Sequence, residues 1–93
     1  MNFTLDLSPG AERKIHKRCS KDALLAQKVE KVTNILALTP FYTSLKTHKI
    51  ISKVTGKEAF SSWITGDYRI IWSFKEDYHI LIVDFGTHNE VYL

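Results

Sequence analysis

The stretch "DYRIIWSFKEDYHILIVDF", residues 67–85, decides the fold. Within it Tyr68, Ile70, Trp72 and Phe74 alternate with Arg69, Ile71 and Ser73, the period-two pattern of a strand whose two faces differ. Arg69 lies opposite the bulkiest residues, so it is expected to face away from the core, toward whatever the sheet binds. Glu76-Asp77 is a tight-turn signal, and His79–Phe85 is a second β-rich run. Upstream, Gly66-Asp67 marks another turn, after a run from Ala59 to Thr65. Three runs joined by two tight turns predict an antiparallel meander.

Working outward to the N-terminus, Phe3, Leu5 and Leu7 alternate with Asn2, Thr4 and Asp6, which predicts one more half-buried strand. Ser8-Pro9 then reads as a helix start, because serine caps free amides and proline tolerates the first helical position. A helix is expected from Pro9 to Cys19. A second is expected from Lys21 to Leu38, with Leu25, Val29, Val32 and Leu36 on one apolar stripe, stopping before Pro40. Thr39 to Gly56 has no sustained periodicity and reads as a long loop with a short extended piece at Ile50–Ile51. The order β-α-α-β-β-β predicts one α+β domain over residues 1–93, an antiparallel sheet with two N-terminal helices packed on one face.

Composition agrees with a single globular domain: 93 residues, 44% hydrophobic and 25% charged. The one cysteine, Cys19, cannot form an internal disulfide and falls on the apolar spacing Ala11, Ile15, Cys19, so it reads as a small core residue in a reducing compartment. No run approaches the ~18 apolar residues that span a bilayer, and the start lacks a signal-peptide pattern. A cytoplasmic protein with no membrane partner is the expectation.

The net charge of +3 is unevenly spread. Residues 32–57 hold four lysines and no acid, whereas residues 58–93 hold two basic residues and six acids. Lys46, Lys49, Lys53 and Lys57 therefore suit a polyanion such as RNA. Arg13, Lys14, Lys17 and Arg18 read equally well as a solvated helix face.

No histidine or cysteine stands at metal-ligand spacing, and neither a phosphate loop nor a serine-nucleophile motif occurs, so no metal and no cofactor is expected. The remaining polar set, with His48, Asp67, Arg69, His88 and Tyr92 beside the lysines, fits phosphodiester chemistry. Attack by the 2′-hydroxyl of RNA needs a base, an acid and cations near the phosphate. Histidine serves either proton-transfer role near neutral pH, and arginine offers a fixed fork to phosphate oxygens. Each residue also has a plainer reading: His48 as a loop residue, His88 as a strand end, Tyr92 as a packing anchor, Asp67 as a turn acid and Arg69 as a partner of Asp84 or Glu90. His16 and His79 read as a helix-surface and a strand residue.

Taken together, "LKTHK" (45–49), "TGDYRIIW" (65–72) and "ILIVDFGTHNEVY" (80–92) resemble the RelE/ParE superfamily of toxins from bacterial type II toxin–antitoxin systems, and within it the mRNA interferases related to RelE and YafQ. The resemblance covers nearly the whole chain. It implies a toxin that enters the ribosomal A site, cuts the mRNA there as an endoribonuclease, and is held inactive by a cognate antitoxin. By the same resemblance His48 and His88 divide base and acid duties, Asp67 matches a turn aspartate of YafQ-like members, Arg69 stabilises the phosphate, and Tyr92 orients or stacks on the nucleotide. The stretch after His48, "IISKVTGKEAFSSW" (50–63), is longer than the usual connection. Trp63 stands where some YafQ-like enzymes have a histidine, and Asp84 where they have an arginine. A ParE-like inhibitor of DNA gyrase, and a non-catalytic interaction module, are the other functions this fold allows.

Overall fold

Two side chains start the long helices. In the computed structural model, which describes residues 2–92, the Ser8 hydroxyl accepts from the Ala11 amide at 3.2 Å and the Asp22 carboxylate from the Leu25 amide at 3.0 Å. Each satisfies an amide that a helix start leaves free. Helix α1 is Pro9–Cys19, as its sequence predicts, and α2 is Ala23–Leu38. The expected start of α2 at Lys21 moves because Asp22 takes the capping position. Leu25, Val29, Val32 and Leu36 are buried along α2 and join Ile70, Trp72, Ile80, Ile82 and Phe85 in the main core. Cys19 packs at the edge of that core, and burial pushes its thiol pKa up.

Five strands form one sheet: β1 (Thr4–Leu7), β2 (His48–Ile51), β3 (Glu58–Trp63), β4 (Tyr68–Phe74) and β5 (His79–Thr87), in the order β1-β5-β4-β3-β2. The expected meander β3-β4-β5 is present and antiparallel. Two features go beyond the expectation. Strand β1 pairs with β5 in parallel, so the sheet is mixed. Strand β2 extends the short piece at Ile50–Ile51 back to His48 and pairs antiparallel with β3. The segment that reads as a long connection is thus an edge hairpin, closed by Ser52–Lys57. There the Ser52 hydroxyl accepts from the amides of Val54 and Thr55, while Gly56 takes a positive φ of 71°. No helix among the described residues is long and apolar enough to cross a membrane.

The face away from α1 and α2 is not bare. After β5 the chain folds back as a single helical turn, α3 (His88–Val91), and Val91 packs with Ala59, Ile71 and Val83 in a second small core that Tyr92 flanks. Gly86 permits this return. A Cβ placed there would stand 2.9 Å from Glu90 Oε1, 3.2 Å from Glu90 Cβ and 3.3 Å from Val91 Cγ1. Glu90 Oε1 accepts from the Thr87 amide at 2.8 Å, and its other oxygen takes Arg18 Nη2 of α1 at 2.5 Å. Arg18 Nη1 also donates to the Tyr68 hydroxyl at 2.9 Å.

The Arg18 hydrogen bond, then that of the Thr87 amide, holds the Glu90 carboxyl down at about 2 from 4.5. A depressed acid stabilises the fold fully above its unfolded pKa and loses that contribution as pH falls from 4.5 toward 2. Both side chains are more than a third exposed, so solvent screening limits the pair to about 1 kcal/mol. Glu90→Gln is therefore expected to lower the urea midpoint at pH 6, and the gap to the parent protein should close as the pH drops through 3.

Candidate active site

His48 opens β2, and what precedes it is firmly held. The Trp72 indole donates to Ser62 Oγ at 2.9 Å, Ser62 shares a 2.7 Å hydrogen bond with Thr47 Oγ1, and that oxygen lies 3.2 Å from the Pro40 carbonyl. Trp72 and Ser62 are fully buried. This chain of bonds ties the segment entering β2 to the centre of the sheet. Between Thr47 and a short 3-10 turn at Thr43–Leu45 stands Lys46, a non-glycine residue in the left-handed region at φ 49°. Such a conformation costs of the order of 1 kcal/mol and persists only where surrounding contacts enforce it.

Tyr92 is the meeting point. Its ring lies with its centroid 6.0 Å from that of His48 and 4.5 Å from that of His88, the latter edge-to-face. Its hydroxyl is hydrogen-bonded to Ser61 Oγ on β3 and stands 3.5 Å from His48 Nε2. His88 opens α3 and Tyr92 caps its far end, four residues on, with the Tyr92 amide donating to the His88 carbonyl at 3.2 Å, so the single turn brings both rings to one side. That explains the spacing in "GTHNEVY": Gly86 admits the turn and the turn presents both rings. His48 and His88, forty residues apart in sequence, thus flank one phenol.

Arg69 lies on this same face, opposite Gly86 on β5 and Trp63 on β3, but it is only 4% exposed. Its Nη1 donates to the carbonyls of Thr65 (2.9 Å), Gly66 (3.2 Å) and Tyr68 (3.1 Å), clamping the β3–β4 turn. Its Nε is buried and has no hydrogen-bond partner among the described residues. The guanidinium carbon stands 4.0 Å from the Trp63 ring centroid, and Lys46 Nζ stands 4.1 Å from the same centroid. Trp63 therefore carries two cations on its π-system. Arg69 pairs with neither Asp84 nor Glu90. Asp84 takes Lys14 at 2.7 Å, and Glu90 takes Arg18.

Asp67 contributes backbone to this region: its carbonyl accepts the His88 amide at 2.8 Å, fixing the start of α3 to the turn that Arg69 clamps. Asp67 also lines a depression on the α2 side, with Asp22, Leu24, Leu25 and Lys28, which neither His48 nor His88 lines. Lys46, Lys49, Lys53 and Lys57 are all exposed. Lys53 Nζ reaches the Glu90 carbonyl at 3.2 Å, across the face of the sheet, and Lys49 stands 3.9 Å from Glu58. The lysine segment thus has one acid beside it, brought there by hairpin pairing. His16 is exposed on α1, and His79 on β5 lies 3.3 Å from Asp6.

Sequence reasoning alone does not mark Ser61 or Trp63 as site residues. Their signal is positional: both share the β3 face with Ala59, and they pair across strands with His48 and Arg69. Chemically, the patch offers two imidazoles about a phenol, bordered by Lys46 and a buried guanidinium. That set can take a proton, give one, and attract an anion.

No protein-family model matches the chain, and no curated protein matches it in sequence. Solved structures do match in fold. A YoeB/ParE toxin from Agrobacterium tumefaciens superposes with a TM-score of 0.77 at 16% identity, over 92% of this chain and 99% of its own. YafQ from E. coli strain BL21(DE3) superposes at 0.68 and 15% identity, over 95% and 96%. The heterotetrameric YoeB–YefM toxin–antitoxin complex from Staphylococcus aureus matches at 0.72 and 20% identity, over 95% and 99%. The chain therefore has the RelE-like fold of these toxins along essentially its full length.

Proposed function

We propose that this chain is the toxin of a type II toxin–antitoxin pair and acts as an endoribonuclease on mRNA in the ribosomal A site, in the cytoplasm. One observation carries the reading: His48 from the edge hairpin and His88 from the C-terminal turn flank the same Tyr92 ring. A protein that only binds has no need of two imidazoles meeting about one phenol on a basic face. The fold likeness to YoeB/ParE and YafQ toxins supports it, and the YoeB–YefM complex supports a cognate antitoxin as partner.

In the proposed reaction one imidazole takes the proton of a 2′-hydroxyl and the freed oxygen attacks the adjacent phosphorus. The bond from phosphorus to the 5′-oxygen breaks as the other imidazole gives that oxygen a proton. The products are a 2′,3′-cyclic phosphate and a 5′-hydroxyl. Each proton transfer is worth ~10²–10⁴-fold. Charge on the phosphate falls to the exposed Lys46, with the buried Arg69 guanidinium beside the same Trp63 ring adding its positive field rather than a direct hydrogen bond. Lys49, Lys53 and Lys57 attract the RNA backbone around the site, and Tyr92 orients the nucleotide between the two histidines.

The test is cleavage of mRNA on programmed ribosomes by the purified chain, with 5′ ends mapped and a gyrase supercoiling assay run alongside. Cuts confined to ribosome-bound mRNA, with supercoiling unaffected, are the expected result. Gyrase inhibition without cuts would instead assign the ParE-like activity, and neither effect would leave an interaction module.

A further inference from the structure

Ser61 is fully buried on β3, directly opposite His48 on β2. Its neighbours on that face, Ala59 and Ile71, are apolar, so its hydroxyl needs a partner from elsewhere. The Tyr92 hydroxyl supplies it. Beyond Tyr92 comes His48 Nε2 at 3.5 Å, and beyond the ring His48 Nδ1 stands 3.2 Å from the Lys46 carbonyl.

The direction of every bond in this row follows from its last member. A carbonyl only accepts, so Nδ1 carries the proton, and in a neutral ring Nε2 is then an acceptor. The Tyr92 hydroxyl must donate to it, and having given its single proton it must accept from Ser61. The left-handed backbone of Lys46 aims the carbonyl that fixes this order. Resting on the endoribonuclease reading above, we propose that Ser61 is a positioning residue that acts through the Tyr92 hydroxyl to hold His48 as the Nδ1–H tautomer. Nε2 is then unprotonated, and His48 is the base that takes the 2′-hydroxyl proton. At 3.5 Å the Tyr92 hydrogen bond is weak, so a 2′-hydroxyl displaces it on binding, and the tautomer set in the free chain is then kept by the Nδ1–H bond to the Lys46 carbonyl. The acid is then His88.

The test has two arms. In the full chain, at a pH where the imidazole is neutral, the 15N shifts of His48 report its tautomer without RNA or ribosomes. The expected state is Nδ1–H, drifting toward a mixture of tautomers in Ser61→Ala and in Tyr92→Phe and kept in Ser61→Thr. On programmed ribosomes, Ser61→Ala should lower the single-turnover rate about tenfold, within the range a small misplacement costs, shift the acidic limb of the pH–rate profile, and leave ribosome affinity unchanged. In a Tyr92→Phe background the same substitution should cost nothing more, because the row is already broken. A parent protein with His48 as the Nε2–H tautomer, or a Ser61→Ala loss undiminished in Tyr92→Phe, overturns the proposal. If Ser61→Ala does not fold, the tautomer of Tyr92→Phe and the retention in Ser61→Thr decide it. A parent chain that never cuts mRNA overturns the nuclease reading itself, and the NMR arm tells that failure apart from a failure of the relay.

Discussion

Replacing His48 and His88 together by alanine is expected to leave mRNA on programmed ribosomes uncut while the chain still folds. Both side chains are exposed, so each substitution should change stability by no more than ~0.5 kcal/mol. A loss of activity then belongs to the chemistry and not to unfolding. Each imidazole is asked to supply ~10²–10⁴-fold. Because the proposed reaction uses both in one displacement, their losses should not multiply: the double variant should fall little further than the worse single one. With His88 as the proposed acid, His88→Ala should lose the alkaline limb of the pH–rate profile, and with His48 as the proposed base, His48→Ala should lose the acidic limb. Residual cutting by the double variant within tenfold of the parent protein would remove both histidines from the mechanism, and would leave Arg69 and the lysines as the groups to explain it.

What the sequence revealed, and what it did not, follows from how local each signal is. Strand β4 and helix α1 have the predicted bounds because alternation around Trp72 and the Ser8-Pro9 start are decided by neighbours in the chain. Strand β2 has no such signal. Its four residues, "HKII", lie at a sheet edge with three of them exposed, so no alternation marks it, and only pairing with β3 makes it a strand. The parallel pairing of β1 with β5 brings together segments more than seventy residues apart, which no window of sequence can see. Helix α3 is four residues long, far too short to form by propensity. Val91 in the second core and Glu90 on Arg18 hold it.

That second core also explains the burial of Arg69. The second face of the sheet reads as open because Arg69 and Ser73 occupy it, yet Ile71 beside Ile70, and Val83 beside Ile82, make continuous apolar runs. Such runs belong to strands covered on both faces. Read that way, "RIIW" and "LIV" call for a cover over the second face, and the C-terminal turn provides it. The same cover carries His88 and Tyr92 to His48, so the small core and the candidate site are products of one chain reversal.

Gly86→Ala is therefore expected to damage stability and activity together. The added methyl would meet three atoms within 3.3 Å, and only Glu90 Oε1 is the end of a flexible side chain. Even that oxygen is held by the Thr87 amide, while its twin is held by Arg18. Glu90 Cβ and Val91 Cγ1 must each give by a few tenths of an ångström, and because both belong to α3 the turn is expected to lift from the sheet. Lifting it withdraws Val91 from Ala59, Ile71 and Val83, for about 1–3 kcal/mol by analogy with overpacked cores. It also carries Tyr92 off Ser61 and His88 away from the His48 side of the patch. A displacement of ~1 Å at a reacting group can cost ~10²-fold in rate, so cleavage should fall by about that factor even in the fraction that remains folded. Gly10→Ala is the matching control, since a methyl there meets nothing closer than 3.9 Å, and alanine in a helix is favoured over glycine by roughly 0.5–1 kcal/mol. Denaturant midpoints and single-turnover rates of the two variants, measured side by side, should move in opposite directions for stability and diverge about a hundredfold in rate. Equal rates would mean that the reaction does not depend on where α3 holds His88 and Tyr92.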